Sequence, residues 1–219
     1  MKYNSIQLVN KSISLIRLIA LCFVVICHIQ QYMDMKLAWW FNVGVQIFLC
    51  MSGFLYGGKR IGNEIDFYIQ RLKRILIPYY FVLIIMSLIQ LLYLDNVFDI
   101  YQFGLALIGR ETIEGGEHLW YVPTILMCYF LTPLLDKLQA RYVGSYIDGI
   151  KTLLLVSVSA SIFFGVYVNF FNPAWLSCYI IGYFIGVIEN CNFNKKARKW
   201  VICIFAVLTV VGNGIQIYV

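Results

Sequence analysis

Residues 12–32 read SISLIRLIALCFVVICHIQQY, a run of 21 residues in which Arg17 and His28 are the only Asp, Glu, Lys, Arg or His side chains. A helix that crosses the hydrocarbon layer of a bilayer needs about 20 mostly apolar residues, and this run supplies them. It is too long for the apolar part of a cleavable leader, and no small-residue cleavage pattern follows it, so it is expected to remain as a span.

The pattern repeats along the chain. Apolar segments follow at Trp39–Tyr56, Ile75–Leu94, Leu119–Leu135, Leu153–Phe171, Trp175–Ile188 and Trp200–Val219. The sixth is the shortest. Val97–Ile108 is apolar but too short to span, which suits an interfacial or re-entrant piece. Composition agrees: 61% of the 219 residues are hydrophobic and 13% are charged, against about 25% charged in a soluble domain. A soluble fold of this length could not hide so much apolar surface. The expected fold is therefore an all-α polytopic transmembrane bundle of about seven spanning helices, forming a single membrane-embedded domain over residues 1–219. The last segment runs to Val219 with no polar tail, so the protein is expected either to end at the outer face or to be incomplete there.

The net charge of +6 invites a nucleic-acid reading, but the basic residues lie in short stretches between apolar runs. With the N-terminus inside and each segment crossing once, the inner side takes 15 of the 17 Lys and Arg residues; the outer side takes only Lys36 and Arg110. Such a bias sets orientation, so the charge is read as topology, with a cytoplasmic N-terminus in the cell (plasma or inner) membrane and no nucleic-acid partner. The outer stretch after Leu94 is acidic, with Asp95, Asp99, Glu111, Glu114 and Glu117. All five tryptophans lie near segment ends, as in an aromatic belt. Six of the seven cysteines (Cys22, Cys27, Cys50, Cys128, Cys178 and Cys203) fall inside apolar runs and are expected to pack as small hydrophobes, with no metal site.

Arg17 and His28 are 11 residues apart, which on a helix places them about 20° apart around the axis and roughly 16 Å along it. An ionisable residue at membrane depth costs about 2.5–3.5 kcal/mol for a central Arg, so it usually faces the bundle with a function. Two readings stand for each. Arg17 either snorkels to the inner headgroups or binds; His28 is either a neutral imidazole bonded to a neighbouring helix or a reactive group. On the second segment Asn42, Gln46 and Gly53 fall on one stripe, suited to close helix contact. The inner loop ends with Arg71-Leu72-Lys73-Arg74, which marks topology, an anionic lipid contact or a site for a phosphate-rich ligand. His118-Leu119-Trp120-Tyr121 opens the fourth segment at the outer boundary.

Taken together these residues resemble the acyltransferase 3 family of integral-membrane O-acyltransferases. The resemblance rests on Arg17 and His28; on Gly44, Phe48 and Ser52-Gly53-Phe54; on Phe67 with Arg71-Leu72-Lys73-Arg74-Ile75-Leu76-Ile77-Pro78-Tyr79-Tyr80; and on His118-Leu119-Trp120-Tyr121, Tyr129 and Pro133-Leu134-Leu135. Each motif alone is weak, and four in order are specific. They cover residues 13–135. The resemblance implies transfer of an acyl group, commonly acetyl, from cytoplasmic acyl-CoA (acetyl-CoA) to a hydroxyl of an extracytoplasmic or lipid-linked glycan. It implies His28 as general base, Arg17 on the donor or the developing charge, and Arg71, Arg74 and Lys73 on the phosphates of CoA. Ser52, His118 and Trp120 are implied as packing or acceptor contacts. The other reading is a non-catalytic membrane protein, either a glycan or lipid translocase or a degenerate relative. Members of the family are usually longer, so a truncated product or fragment is expected.

Overall fold

The structure is a computed structural model, and it describes residues 2–93, 99–141 and 173–190. The expected spans Leu153–Phe171 and Trp200–Val219, and Cys203, lie outside these residues. Every regular element among the described residues is a helix. They are α1 (Lys2–Tyr32), α2 (Ala38–Phe41), α3 (Val43–Tyr56), α4 (Glu64–Tyr93), α5 (Ile100–Leu107), a 3-10 turn at Glu117–Trp120, α6 (Tyr121–Arg141) and α7 (Pro173–Asn190). Among the described residues three stretches are long and apolar enough to cross a membrane: Lys11–Tyr32, Glu64–Leu92 and Glu117–Gln139. Large apolar side chains stand exposed around them, among them Leu18, Leu21 and Val25 on α1 and Ile77, Phe81 and Leu92 on α4. A helix with an apolar surface all round is suited to lipid. This is a helical membrane protein.

The chain divides into two compact units, residues 1–59 with 177–219 and residues 60–176. In the first, α1 packs on α2 and α3 along a seam of Ala20, Val24 and Cys27, one helical face by spacing. Gly44 makes this contact close: a Cβ there would lie 2.7 Å from the Ala20 carbonyl oxygen and 2.9 Å from Val24 Cγ2. Phe23 meets Phe41 edge to face at 5.6 Å, and the Cys27 thiol donates to the Ala38 carbonyl at 3.3 Å. α1 ends in a Schellman turn. Met35 N donates to Gln30 O (2.9 Å) and Asp34 N to Gln31 O (3.1 Å), with Asp34 at φ 52°.

The expected second span Trp39–Tyr56 is divided at Asn42, leaving α3 with 14 residues, about 21 Å of helix. It is also seamed on its other side. Gly53 on α3 and Gly57, which caps its end, face α7 where Gly182 and Gly186 face α3, each pair four residues apart. A Cβ on Gly53 would strike the Tyr179 carbonyl, and one on Gly182 the Cys50 carbonyl. Tyr179 and Tyr183 flank the crossing and are completely buried. Without a hydrophobic drive between helices in lipid, such backbone approach is a principal source of association.

The second unit is built on α4 and α6. Asn63 caps α4, its Oδ1 accepting from Ile65 N at 3.0 Å, and its Nδ2 donates to Asp66 at 2.8 Å. At the other end α5 closes on α4. Asp99 caps α5 through Tyr101 N at 2.8 Å. Gly109, at φ 72°, ends it in a second Schellman turn, with Arg110 N on Leu105 O and Gly109 N on Ala106 O. The hydroxyls of Tyr79 and Tyr80 donate to the carbonyls of Ala106 and Leu107, satisfying the last turn of α5. Tyr79, Leu83, Ala106, Ile113 and Leu119 form the core of this end. Val97–Ile108, expected as an interfacial or re-entrant piece, contains this eight-residue helix.

Candidate active site

Arg17 and His28 both lie on α1, which is helical throughout between them, so the register read from spacing holds. Relative to the seam at Ala20 they stand on the Val24 side, roughly 60° and 80° around the axis. Both are exposed, and at roughly 16 Å of axial separation neither touches the other. Ser52 is half-buried on α3, in the residue before the Gly53 crossing.

In the second unit Arg71, Lys73 and Arg74 sit inside α4, two turns and more from its start, where the sequence suggested the end of a loop. Glu64 and Asp66 in the first turn complement the helix dipole and carry the helix upstream of its apolar part. The 30 residues of α4 make about 45 Å, some 15 Å more than the hydrocarbon layer. That excess, about ten residues, matches the polar stretch from Glu64 to Arg74. Register separates the three basic residues. Arg74 is about 60° around from Arg71, while Lys73 is about 160° away. Lys73 and Arg74 are exposed.

Arg71 is half-buried against aromatic rings. Its guanidinium carbon lies 5.5 Å from the centre of the Phe67 ring and 5.8 Å from that of Tyr129 on α6. Phe67 and Tyr129 meet nearly at right angles, 6.4 Å apart, and Tyr68 stacks on Phe130 at 5.8 Å. Tyr68 also donates its hydroxyl to the Phe130 carbonyl at 3.1 Å. Below these rings Asp136, 7% exposed, accepts from Ile61 N at 2.9 Å and from Arg60 Nη1 at 3.5 Å. Lys137 pairs with Glu64 at 2.7 Å.

His118 is exposed in the 3-10 turn. Its neighbour Glu117 is engaged with the loop, its Oε1 accepting from Gly115 N at 2.9 Å. Trp120 is half-buried beside Trp175, ring centres 5.0 Å apart, and edge-on to Tyr121 at 6.3 Å. Sequence reasoning assigned no role to Phe67, Tyr129, Trp175 or Asp136. The signal for the first was present, since Phe67 and Arg71 are four apart. Tyr129 and Trp175 meet their partners only through folding.

The family model for the Acyltransferase domain (Acyl_transf_3) matches residues 10–219. The chain belongs to the acyltransferase 3 family. Neither the curated proteins nor the solved structures contain a match. Membership gives acyltransferase activity as the general chemistry, and the three long apolar helices put this acyltransferase in a membrane.

Proposed function

We propose that this acyltransferase moves an acyl group, acetyl in the first instance, from cytoplasmic acyl-CoA to a hydroxyl of an extracytoplasmic or cell-surface carbohydrate. The observation that carries the reading is the register of α1 in a chain of this family. A continuous apolar helix holds two ionisable side chains, Arg17 and His28, on nearly one line. His28 acts as general base: it takes the proton of the acceptor hydroxyl as that oxygen attacks the thioester carbonyl carbon. The C–S bond breaks, CoA leaves as its thiolate, and the proton reaches it from the imidazolium. Arg17 steadies the donor or the oxyanion that forms on the carbonyl. Arg71 and Arg74 hold the phosphates of CoA, a task suited to the guanidinium fork; Lys73 adds charge from the other side of α4. Ser52, His118 and Trp120 are acceptor or packing contacts.

The charge bias supports the division of labour. Basic residues gather on the side assigned to the cytoplasm, where CoA is made, and a multi-pass bundle of about seven spans in the plasma or inner membrane would separate donor from acceptor. The test is transfer of label from radiolabelled acetyl-CoA to crude surface polysaccharide by membranes holding this chain or His28→Ala at equal protein level. Transfer by the first and a loss of at least a hundredfold in the second is expected, since general-base catalysis contributes about 10²–10⁴. Equal label from both removes His28 from the chemistry.

A further inference from the structure

The rings around Arg71 carry an inference that rests on the donor-site reading above and goes beyond it. We propose that Phe67 and Tyr129 are positioning residues for the acyl donor: they hold the Arg71 guanidinium between α4 and α6 so that its in-plane N–H donors are set for a phosphate of CoA. The two rings stand at 88° to one another, so the guanidinium lies flat on at most one of them; because a guanidinium meets a ring best through its face and hydrogen-bonds through its edge, ring contact and phosphate contact need not compete. Both rings lie inside the roughly 6 Å range of a cation–π contact. A free Arg side chain would lose rotamer freedom on gripping a ligand. Held in advance, it loses less, and affinity rises.

The surroundings make the cradle stiff. Phe67 and Tyr68 on α4 meet Tyr129 and Phe130 on α6 as a four-ring block. Tyr68 is tied to the Phe130 carbonyl, the Lys137–Glu64 pair joins the same two helices, and Asp136 ties α6 to the Ile61 amide just before α4. Arg74, exposed about 60° around α4, acts as the adaptable second contact. The ligand chemistry is a phosphate; it comes from CoA or from an anionic lipid headgroup, and the two sources separate experimentally.

The experiment measures binding of coenzyme A to the full chain in phosphatidylcholine nanodiscs, where no anionic lipid competes, and again with phosphatidylglycerol present. The variants are Phe67→Met, Tyr129→Met, Tyr129→Phe, Arg71→Ala and the double variant Tyr129→Met with Arg71→Ala. Methionine keeps apolar volume and removes the ring; phenylalanine keeps the ring. Each methionine variant is expected to weaken CoA about three- to tenfold, Tyr129→Phe to bind like the parent, and Tyr129→Met to add nothing once Arg71 is alanine. Should Arg71→Ala leave CoA affinity unchanged without anionic lipid, the donor-site reading fails and this proposal with it; loss of phosphatidylglycerol binding in that variant would then assign the phosphate to lipid. Should Arg71→Ala weaken CoA while the methionine variants do not, or should Tyr129→Met weaken it equally without Arg71, the donor site stands and the positioning role is overturned. If the methionine variants do not fold, Tyr129→Leu and Phe67→Leu take their place in the same cycle.

Discussion

At the residue scale, Asp136 shows how burial decides which contact matters. Two partners meet its carboxylate, but they are unequal. Arg60 is 59% exposed with its nitrogen 3.5 Å away, so solvent screens the pair and it is worth between nothing and about 1 kcal/mol. The Ile61 amide, at 2.9 Å, has its hydrogen bond in a half-buried site, and leaving such a donor unmet costs about 1–3 kcal/mol. Asp136→Ala should therefore lower stability in mixed micelles by about 1–3 kcal/mol, Asp136→Asn by less because it keeps an acceptor, and Arg60→Ala by under about 1 kcal/mol. A larger loss for Arg60→Ala than for Asp136→Ala in denaturant titration would reverse this ranking.

At the element scale, two glycines separate packing from backbone freedom. Gly182 lies where α7 crosses α3, and any Cβ there meets the Cys50 backbone, which cannot swing aside as a side chain can. Gly104 lies within α5 with nothing within 4 Å of a Cβ. Gly182→Ala is expected to destabilise by about 1–3 kcal/mol, the cost of overpacking. Gly104→Ala is expected to stabilise by about 0.5–1 kcal/mol, because alanine loses less conformational freedom in a helix. Thermal unfolding of the pair in one detergent checks both signs; a stabilised Gly182→Ala would mean the helices do not approach as described. The tyrosines on α4 act at this scale as well. Tyr79 and Tyr80 close the last turn of α5 with their hydroxyls, so the motif residues that follow Pro78 hold a helix end in place.

At the scale of the whole molecule, the charge distribution makes a prediction about sides. With a cytoplasmic N-terminus, Lys36→Cys and Glu114→Cys in a cysteine-free background should react with an impermeant maleimide added to intact cells. Lys59→Cys and Lys137→Cys should react only after the membrane is opened. Labelling of the second pair on intact cells would invert the proposed topology and place the Arg71–Arg74 face away from CoA.

How much was legible in the sequence follows from which forces act locally. Membrane character, helical class and family could be read directly, because hydropathy, length and short motifs are properties of contiguous residues. The register of Arg17 and His28 was legible for the same reason: on an uninterrupted helix spacing is geometry. Element ends were less so. The apolar run begins at Ile75, yet α4 starts at Glu64, because a cap at Asn63 and i→i+4 hydrogen bonding extend a helix without regard to polarity. Asn42 divides an apolar run that hydropathy treats as one. The contacts that place side chains needed the fold itself. Phe67 is one turn from Arg71 in sequence, but Tyr129 is 58 residues on, and only the packing of α6 against α4 sets it on the same guanidinium. The glycine pairs on α3 and α7 likewise declare a partner only when two helices approach. Local chemistry determined what this chain is made of and the family it belongs to; long-range packing decided which of its residues hold one another.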